Sequence, residues 1–291
     1  MIEKKRSARP GIRLLAVDVD GTLLHHGRIA PTDAEALHAA AGAGMVVCLC
    51  TGRSWREVKP IWAELALPEP HAPVVCVGGA VVSEPDTGRT LYSRCFRRPE
   101  AAELSAAIAA AGYPVMALVD AWREGFDYYV LGTWEDRPLY RRFFGDRDEL
   151  RIRRVEALGE ETRPVLRISA LTERDDGDKL VGQLQKTFSE RIEVQRIHLI
   201  HRDVHIVEAF ADRATKLSAL VYVGQGMRIA PAAMAAIGDD HNDTPMLAGA
   251  GLSAAPADSA EEVRDAADLT VAARGGGAVA EFVEHLLGDQ A

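Results

Sequence analysis

Two aspartates separated by one residue give this sequence its strongest chemical signal. They are Asp18 and Asp20 of the stretch DVDGT, directly after the apolar run over residues 12–17. Because residues i and i+2 of a strand point to the same side, the two carboxylates converge. Neighbouring anions at the edge of an apolar core need a cation or a shared proton, and oxygen-only ligands favour a hard ion such as Mg²⁺. The simpler alternative is a polar strand end followed by an Asp-Gly turn.

A second polar cluster follows the next apolar run, over residues 45–50. It begins with Thr51 and Gly52 and leads into a helix whose start is marked by Ser54 and Glu57, a pair with capping-box spacing. A hydroxyl and exposed N–H groups at the start of a helix suit a bound phosphate. A Thr-Gly pair also forms ordinary turns, so this cluster alone leaves both interpretations open.

The third cluster, GDDHND, comes directly after the apolar run that ends at Ile237. Asp239 lies in the expected loop and Asp243 near the start of a helix, so both can reach one metal ion. Capping of that helix by Asp and Asn is the alternative. Lys216 stands near the start of an earlier predicted helix, where a lone lysine is also common as a surface charge.

The elements that must position these residues alternate as in an α/β fold. Apolar runs at 12–17, 45–50, 74–77 and 233–237 predict strands buried on both faces, and helix-like segments separate them. This alternation predicts a parallel sheet, and the carboxyl ends of its strands share one crevice. Carboxylates, a hydroxyl and an ammonium in one crevice are the parts of a phosphoryl-transfer site that works through a covalent aspartyl-phosphate.

The middle of the chain has a different texture. Between residues 85 and 208 the apolar runs are shorter and more mixed in polarity, as in a smaller sheet with one open face. We therefore predict a Rossmann-like α/β core formed by residues 1–84 and 209–291, interrupted by an inserted α/β domain at 85–208. A capping box of Thr32 and Glu35 is expected to open the first helix of the core.

Composition excludes several classes of protein. The 291 residues carry a net charge of −9, which opposes a general nucleic-acid or anionic-membrane surface. No apolar stretch is long enough for a membrane span, and the apolar run after the basic N-terminus is too short for a signal peptide. We expect a cytoplasmic protein, either a monomer or a homodimer, that binds neither nucleic acid nor membrane.

Two other groups of residues invite a metal-site interpretation. Cys48 and Cys50 point to one face of a predicted strand, but no second cysteine pair supports a metal, so core packing is favoured. His198, His201 and His205 are expected on separate strand and turn positions, with ordinary surface or core roles rather than zinc binding.

The motifs in their order resemble a known family. DVDGTLL, TGR, Lys216 and GDDHND are similar to the four motifs of the haloacid dehalogenase superfamily of phosphatases. The large insertion between the second and third motifs resembles the α/β cap of the Cof-type branch. The resemblance covers residues 12–84 and 208–287. Where relatives usually carry Asn-Gly-Ala, this chain has Gly78-Gly79-Ala80, and Leu217 rather than glycine follows the lysine.

The resemblance implies roles for single residues. Asp18 would be the nucleophile that attacks phosphorus, and Asp20 would protonate the leaving oxygen and then activate water. Phosphate binding would fall to a set of four residues, namely Thr51, Gly52, Lys216 and Asn242. Mg²⁺ would be bound by the side chains of Asp18 and Asp239 and the backbone carbonyl of Asp20, with support from Asp243.

These roles imply a Mg²⁺-dependent phosphatase that hydrolyses a small phosphorylated metabolite, with a sugar phosphate as the first expectation. A phosphosugar mutase or phosphotransferase would use the same Asp18. A regulatory phospho-acceptor also combines Asp, Thr and Lys around Mg²⁺, but it needs neither a second acid in Asp-x-Asp nor a large insertion. A nucleotide-sugar transferase can use Asp-x-Asp with a metal, yet leaves GDDHND unexplained.

Overall fold

The computed structural model describes residues 11–145, 150–199 and 204–288 of the chain. The chain forms two compact units. The first consists of the segments up to Gly88 and from Thr215 onward, and the second runs from Arg89 to Ala214. The sequence placed these boundaries four and six residues earlier, after residues 84 and 208. The turn that ends at Gly88 stays with the first unit, because Gly88 packs closely against the Trp55 ring.

The strands are β1 (Leu14–Asp18), β2 (Leu24–His25), β3 (Arg28–Ile29), β4 (Val46–Cys50), β5 (Val74–Cys76), β6 (Val81–Ser83), β7 (Thr90–Ser93), β8 (Val115–Val119), β9 (Tyr128–Leu131), β10 (Ile152–Arg154), β11 (Val165–Thr172), β12 (Ile192–Leu199), β13 (Val204–Ala211), β14 (Met234–Ile237), β15 (Leu252–Pro256) and β16 (Leu269–Val271). The α-helices are α1 (Pro31–Gly42), α2 (Trp55–Leu65), α3 (Arg98–Ala110), α4 (Ala121–Glu124), α5 (Pro138–Phe144), α6 (Arg174–Phe188), α7 (Lys216–Met227), α8 (Thr244–Gly249), α9 (Glu261–Ala266) and α10 (Ala278–Gly288).

The first unit is built on a largely parallel sheet. Its strands lie in the order β16-β15-β14-β1-β4-β5-β6, and only β6 runs antiparallel to its neighbour β5. Every residue of β1, β4 and β14 is buried, as continuous apolar strands covered on both faces require. The predicted Rossmann-like α/β fold, with a further α/β region, is confirmed.

Local capping explains one of the two predicted helix starts. Ser54 precedes α2 and forms the expected capping box, in which its N–H donates to the Glu57 carboxylate at 2.9 Å. The box predicted at Thr32 is wrong, because α1 begins at Pro31 after Ala30. Asp33 in the first turn of α1 is buried and instead accepts a hydrogen bond from the backbone N–H of Ala280, at the start of α10.

The second unit carries a mixed sheet with the strand order β10-β9-β8-β11-β13-β12. Neighbours in this order are antiparallel, except the parallel pair β9 and β10. Apolar residues of α3 and α6 pack with this sheet into a buried core that includes Leu104, Ile108, Leu180 and Leu184. The sheet is mixed rather than parallel, but the expected open face is wrong, because every residue of β8, β9 and β11 is buried.

The histidine and cysteine groups have plain structural positions. His198 and His205 lie on separate strands, β12 and β13, as expected, but these strands pair and the two rings stack 4.2 Å apart. His201 lies outside the described residues. Cys48 and Cys50 are fully buried in β4. Across the described part of the chain, the helices are all too short or too polar to cross a membrane.

Candidate active site

The candidate site lies where three neighbouring strands of the first unit end. β1 runs parallel between β4 and β14, with Asp18 level with Cys50 and Val17 level with Ile237. Asp18 is therefore the last residue of β1, while Thr51 and Gly238 directly follow the ends of its neighbours. The polar clusters that are far apart in the sequence meet at one edge of the sheet, as the strand order requires.

Lys216 connects two of the predicted carboxylates. Its ammonium donates to Asp18 Oδ1 at 2.5 Å and to Asp243 Oδ1 at 2.7 Å, and all three side chains are at least 95% buried. Burial opposes the charge on Lys216, but the two carboxylates outweigh that effect and raise its pKa above the ordinary value. The interpretation of Lys216 as a surface charge is thus excluded.

The position of Lys216 depends on a close approach of backbone segments. Thr215 caps α7 by accepting a hydrogen bond from the Ser218 N–H, so Lys216 is the first residue of the helix. Gly79, in the turn after β5, has a φ of +100°, and a Cβ there would overlap the Thr215 carbonyl. Glycine is therefore required at this turn for α7 to begin against the sheet edge.

Asp239 is held by contacts to both carboxylate oxygens. The Thr22 hydroxyl donates to Oδ1 at 2.6 Å, and Arg274 Nε lies 3.1 Å from Oδ2. Gly21, with a φ of +94°, packs so closely on this carboxylate that a Cβ would collide with Oδ2. The DVDGT loop therefore contributes more than Asp18 and Asp20: its glycine and threonine fix the position of a third carboxylate.

Asp243 supports this arrangement from the following turn. Its Oδ2 accepts hydrogen bonds from the backbone N–H groups of Asp239 and Asp240, both at 3.2 Å. A Cβ at Gly238 would overlap the Asp243 carboxylate, so the loop wraps tightly around this side chain. Asp240 accepts from the His241 N–H and caps the turn, which gives it the structural role that helix capping predicts.

The donor set fits a hard divalent cation. Asp18, Asp239 and Asp243 each offer an oxygen, and these oxygens all lie within 4.8 Å of one another. Burial and the neighbouring Asp243 carboxylate raise the pKa of Asp18 well above its usual range, although Lys216 opposes the rise. Burial likewise raises the pKa of Asp239 to about 6. The three carboxylates carry more negative charge than the single Lys216 ammonium can offset. Under this condition a bound cation would stabilise the site.

Asp20 differs from the buried carboxylates. It remains partly exposed and forms a bidentate ion pair with Arg53, in which Nε donates to Oδ2 at 2.8 Å and Nη2 donates to Oδ1 at 2.5 Å. Burial opposes the charge of this guanidinium, but the hydrogen bonds to Asp20 are the larger effect and raise the Arg53 pKa. The pair fixes the Asp20 side chain at the rim of the site.

The predicted phosphate-binding residues are distributed around the same edge. Thr51 is fully buried, and its hydroxyl accepts a hydrogen bond from the Arg53 N–H at 3.0 Å. Gly52 lies between them, with open space around it. Asn242 Oδ1 is buried and accepts no hydrogen bond within the described structure. Lys216 is oriented by Asp18 and Asp243.

Three residues of the site were missed in the sequence. Arg53 directly follows the predicted Thr51-Gly52 pair, and Thr22 completes the first motif. Both residues could have been predicted, because each stands next to predicted site residues. Arg274 lies 35 residues beyond Asp239 in a glycine-rich loop, and nothing in its local sequence marks it.

A match to a protein-family model identifies the family of this chain. The model of the haloacid dehalogenase-like hydrolases matches residues 15–283. The chain belongs to this family. The predicted resemblance is confirmed, including the Cof-type branch, and the protein is a phosphatase of the hydrolase class.

Relatives of this phosphatase span almost its whole length. It is 25% identical to the 5-amino-6-(5-phospho-D-ribitylamino)uracil phosphatase YwtE of Bacillus subtilis, over 96% of this chain and 99% of that protein. It also superposes on a superfamily phosphatase from Bacteroides thetaiotaomicron with a TM-score of 0.74 at 19% identity, covering 95% of each chain. A subclass IIB sugar phosphatase gives a TM-score of 0.72 at 19% identity, over 94% of this chain and 98% of that one.

Proposed function

We propose that the protein is a Mg²⁺-dependent phosphomonoesterase that hydrolyses a small phosphorylated metabolite through an aspartyl-phosphate on Asp18. The observation that carries this proposal is the buried cluster at the sheet edge, where Lys216 lies between Asp18 and Asp243 and Asp239 lies beside them. A carboxylate nucleophile with an adjacent fixed ammonium can receive a phosphoryl group and stabilise its charge.

In the first half-reaction, an Asp18 carboxylate oxygen attacks phosphorus and the bond between phosphorus and the ester oxygen breaks. The leaving oxygen takes a proton from the carboxylic acid form of Asp20, which becomes a carboxylate. Lys216 stays close to the transferred phosphoryl oxygens and neutralises their charge. The Asp20–Arg53 ion pair holds the second carboxyl at the rim of the site, and Arg53 must release it for the acid step, because a paired guanidinium favours the carboxylate form.

In the second half-reaction, Asp20 accepts a proton from water and the water oxygen attacks phosphorus. The bond between phosphorus and Asp18 breaks, which releases inorganic phosphate and restores both carboxyl groups to their starting forms. Thr51, directly after β4, and the following Gly52 bind phosphoryl oxygens during both steps.

The residues that would hold Mg²⁺ are the Asp18 and Asp239 side chains together with the Asp20 backbone carbonyl. Asp243 supports them, because both of its oxygens already accept hydrogen bonds from Lys216 and from backbone N–H groups. When bound, the ion would neutralise phosphoryl charge and hold the phosphate in line with the nucleophile.

For the substrate we propose a phosphorylated sugar or a similar polyol phosphate. The B. subtilis relative is named for a phosphoribityl compound, and one structural neighbour is a sugar phosphatase. We also propose that residues 89–214 form the cap that selects this substrate, while the first unit performs the chemistry.

The test is hydrolysis of p-nitrophenyl phosphate by wild type and two matched variants. Asp18→Asn should abolish activity with an unchanged circular dichroism spectrum, whereas Asp265→Asn, the same change at an exposed position of α9, should be neutral. EDTA should inhibit the wild type, and Mg²⁺ rather than Zn²⁺ should restore it. Wild-type turnover by Asp18→Asn would disprove the nucleophile assignment.

A phosphotransferase or a phospho-acceptor would give different products. Release of free inorganic phosphate without an added acceptor supports hydrolysis, and its absence would indicate a mutase or transferase. A phospho-Asp18 that persists for minutes would indicate the regulatory class. A panel of phosphorylated metabolites, scored by phosphate release, would then identify the preferred substrate.

A further inference from the structure

Arg274 binds the candidate metal ligand Asp239 at two points. Its Nε lies 3.1 Å from Asp239 Oδ2, and its Nη2 donates to the Asp239 backbone carbonyl at 3.2 Å. The Arg274 backbone N–H in turn donates to Asp258 Oδ1 at 2.9 Å, which anchors the loop after β16. The Arg274 side chain is about one-third exposed, although its Nε atom is buried.

We infer that Arg274 competes with the divalent cation for Asp239. Because the guanidinium shares this carboxylate with the metal, it lowers the affinity of the site for Mg²⁺. The inference rests on the proposed function, because it assumes that Asp239 binds Mg²⁺. Arg274 would be a positioning residue, because it acts through Asp239 and touches neither substrate nor reacting atoms.

The contacts of Asp239 indicate competition rather than simple orientation. Thr22 already fixes the carboxylate through Oδ1, at 2.6 Å and fully out of solvent, so Arg274 is not required to hold it. Arg274 Nε lies 3.1 Å from the second oxygen, Oδ2, of a side chain that offers one oxygen within 4.8 Å of oxygens of Asp18 and Asp243. A cation that binds Asp239 through Oδ2 must share that oxygen with the guanidinium or displace it.

Charge leads to the same expectation. Lys216 pairs with Asp18 and Asp243 and offsets only part of the charge of the three carboxylates, and Arg274 supplies the next positive charge, beside Asp239. Its removal increases the negative potential at the cation position, and opposite charges a few ångströms apart attract even when partly screened. Loss of Arg274 should therefore strengthen Mg²⁺ binding, whereas a purely orienting role would make the same loss weaken it.

The experiment is calorimetric titration of the purified full-length protein with Mg²⁺ alone, without substrate. Arg274→Ala should bind Mg²⁺ about fivefold more tightly than wild type, the scale expected for a partly exposed charge. Arg274→Lys keeps the charge and should stay within about twofold of wild type. Arg13→Ala, which removes the same charge just before the opposite end of β1, should not change the affinity.

Unchanged or weaker Mg²⁺ binding by a folded Arg274→Ala variant would overturn the inference, and so would a tightening that Arg274→Lys shares in full. If Arg274→Ala does not fold, Arg274→Gln, titrated in the same way, must show the tightening. Failure of the proposed function gives a separate result: the wild type would bind no Mg²⁺, or Asp239→Asn would bind it as well as wild type does.

Discussion

Replacing Lys216 with methionine would remove the ammonium that separates the Asp18 and Asp243 carboxylates. Methionine fills a similar volume and keeps the apolar stem, so the change isolates the charge. The two hydrogen bonds of 2.5 and 2.7 Å would be lost at a residue that is only 2% exposed. Breaking a buried ion pair by removing one partner typically costs about 3–5 kcal/mol, because the other charge stays buried without compensation.

Urea unfolding at pH 7, followed by circular dichroism, measures this cost. We expect Lys216→Met to reduce the free energy of unfolding of the first unit by about 3 kcal/mol or more. Lys216→Met combined with Asp243→Asn should recover part of the loss, since the double variant no longer buries the second unpaired carboxylate. Lys59→Met, the same substitution on the exposed side of α2, is the matched control and should change stability by less than about 0.5 kcal/mol.

The same variant tests the proposed chemistry. Loss of a positioned cation that neutralises a transferring phosphoryl group should lower kcat for p-nitrophenyl phosphate by about 100-fold or more. Stability and kcat close to wild type in Lys216→Met would refute the reasoning, because the buried ammonium would then contribute to neither folding nor phosphoryl transfer.

Three further predictions concern Gly79, Asp33 and Arg53. Gly79→Ala should destabilise the protein by about 1–3 kcal/mol and lower kcat, because the methyl group overlaps the Thr215 carbonyl at a φ of +100°; equal urea midpoints would contradict this. Burial raises the pKa of Asp33 in the folded protein. The free energy of unfolding therefore falls as pH rises from the unfolded-state pKa to the folded-state pKa of this carboxyl group. Asp33→Asn should therefore gain stability relative to wild type as pH rises above the ordinary carboxyl pKa of about 3.9, and a pH-independent difference in urea unfolding would exclude this. Arg53→Ala should reduce kcat about tenfold in steady-state assays, with a smaller effect for Arg53→Lys, because Asp20 loses the bonds that orient it; unchanged kcat would show that the ion pair has no role in turnover.

The sequence predicts those parts of the molecule that depend on local pattern. The apolar runs at β1, β4 and β14 indicated strands buried on both faces, and the order of these strands was enough to bring Asp18, Thr51 and Asp239 to one edge. The capping box at Ser54 also needed only neighbouring residues, and the structure shows it.

The remaining features depend on contacts between distant residues. The capping box predicted from Thr32 and Glu35 does not form, and the Asp33 carboxylate between them accepts a hydrogen bond from the backbone N–H of Ala280, 247 residues away. Lys216 by itself resembled an ordinary surface lysine, and only its place in the series of four motifs pointed to the site. Its burial beside Asp18 and the packing of Gly79 against Thr215 appear only in the structure. Such contacts between distant residues override local preference.

The position of β1 in the middle of its sheet has a consequence for how the chain folds. One neighbour, β4, begins 28 residues after the end of β1, but the other, β14, begins only at Met234. During synthesis one edge of β1 therefore stays unpaired until the chain has been made as far as β14. Late closure of so long a loop slows folding, and any product that terminates before Met234 exposes an apolar strand edge suited to aggregation rather than to catalysis.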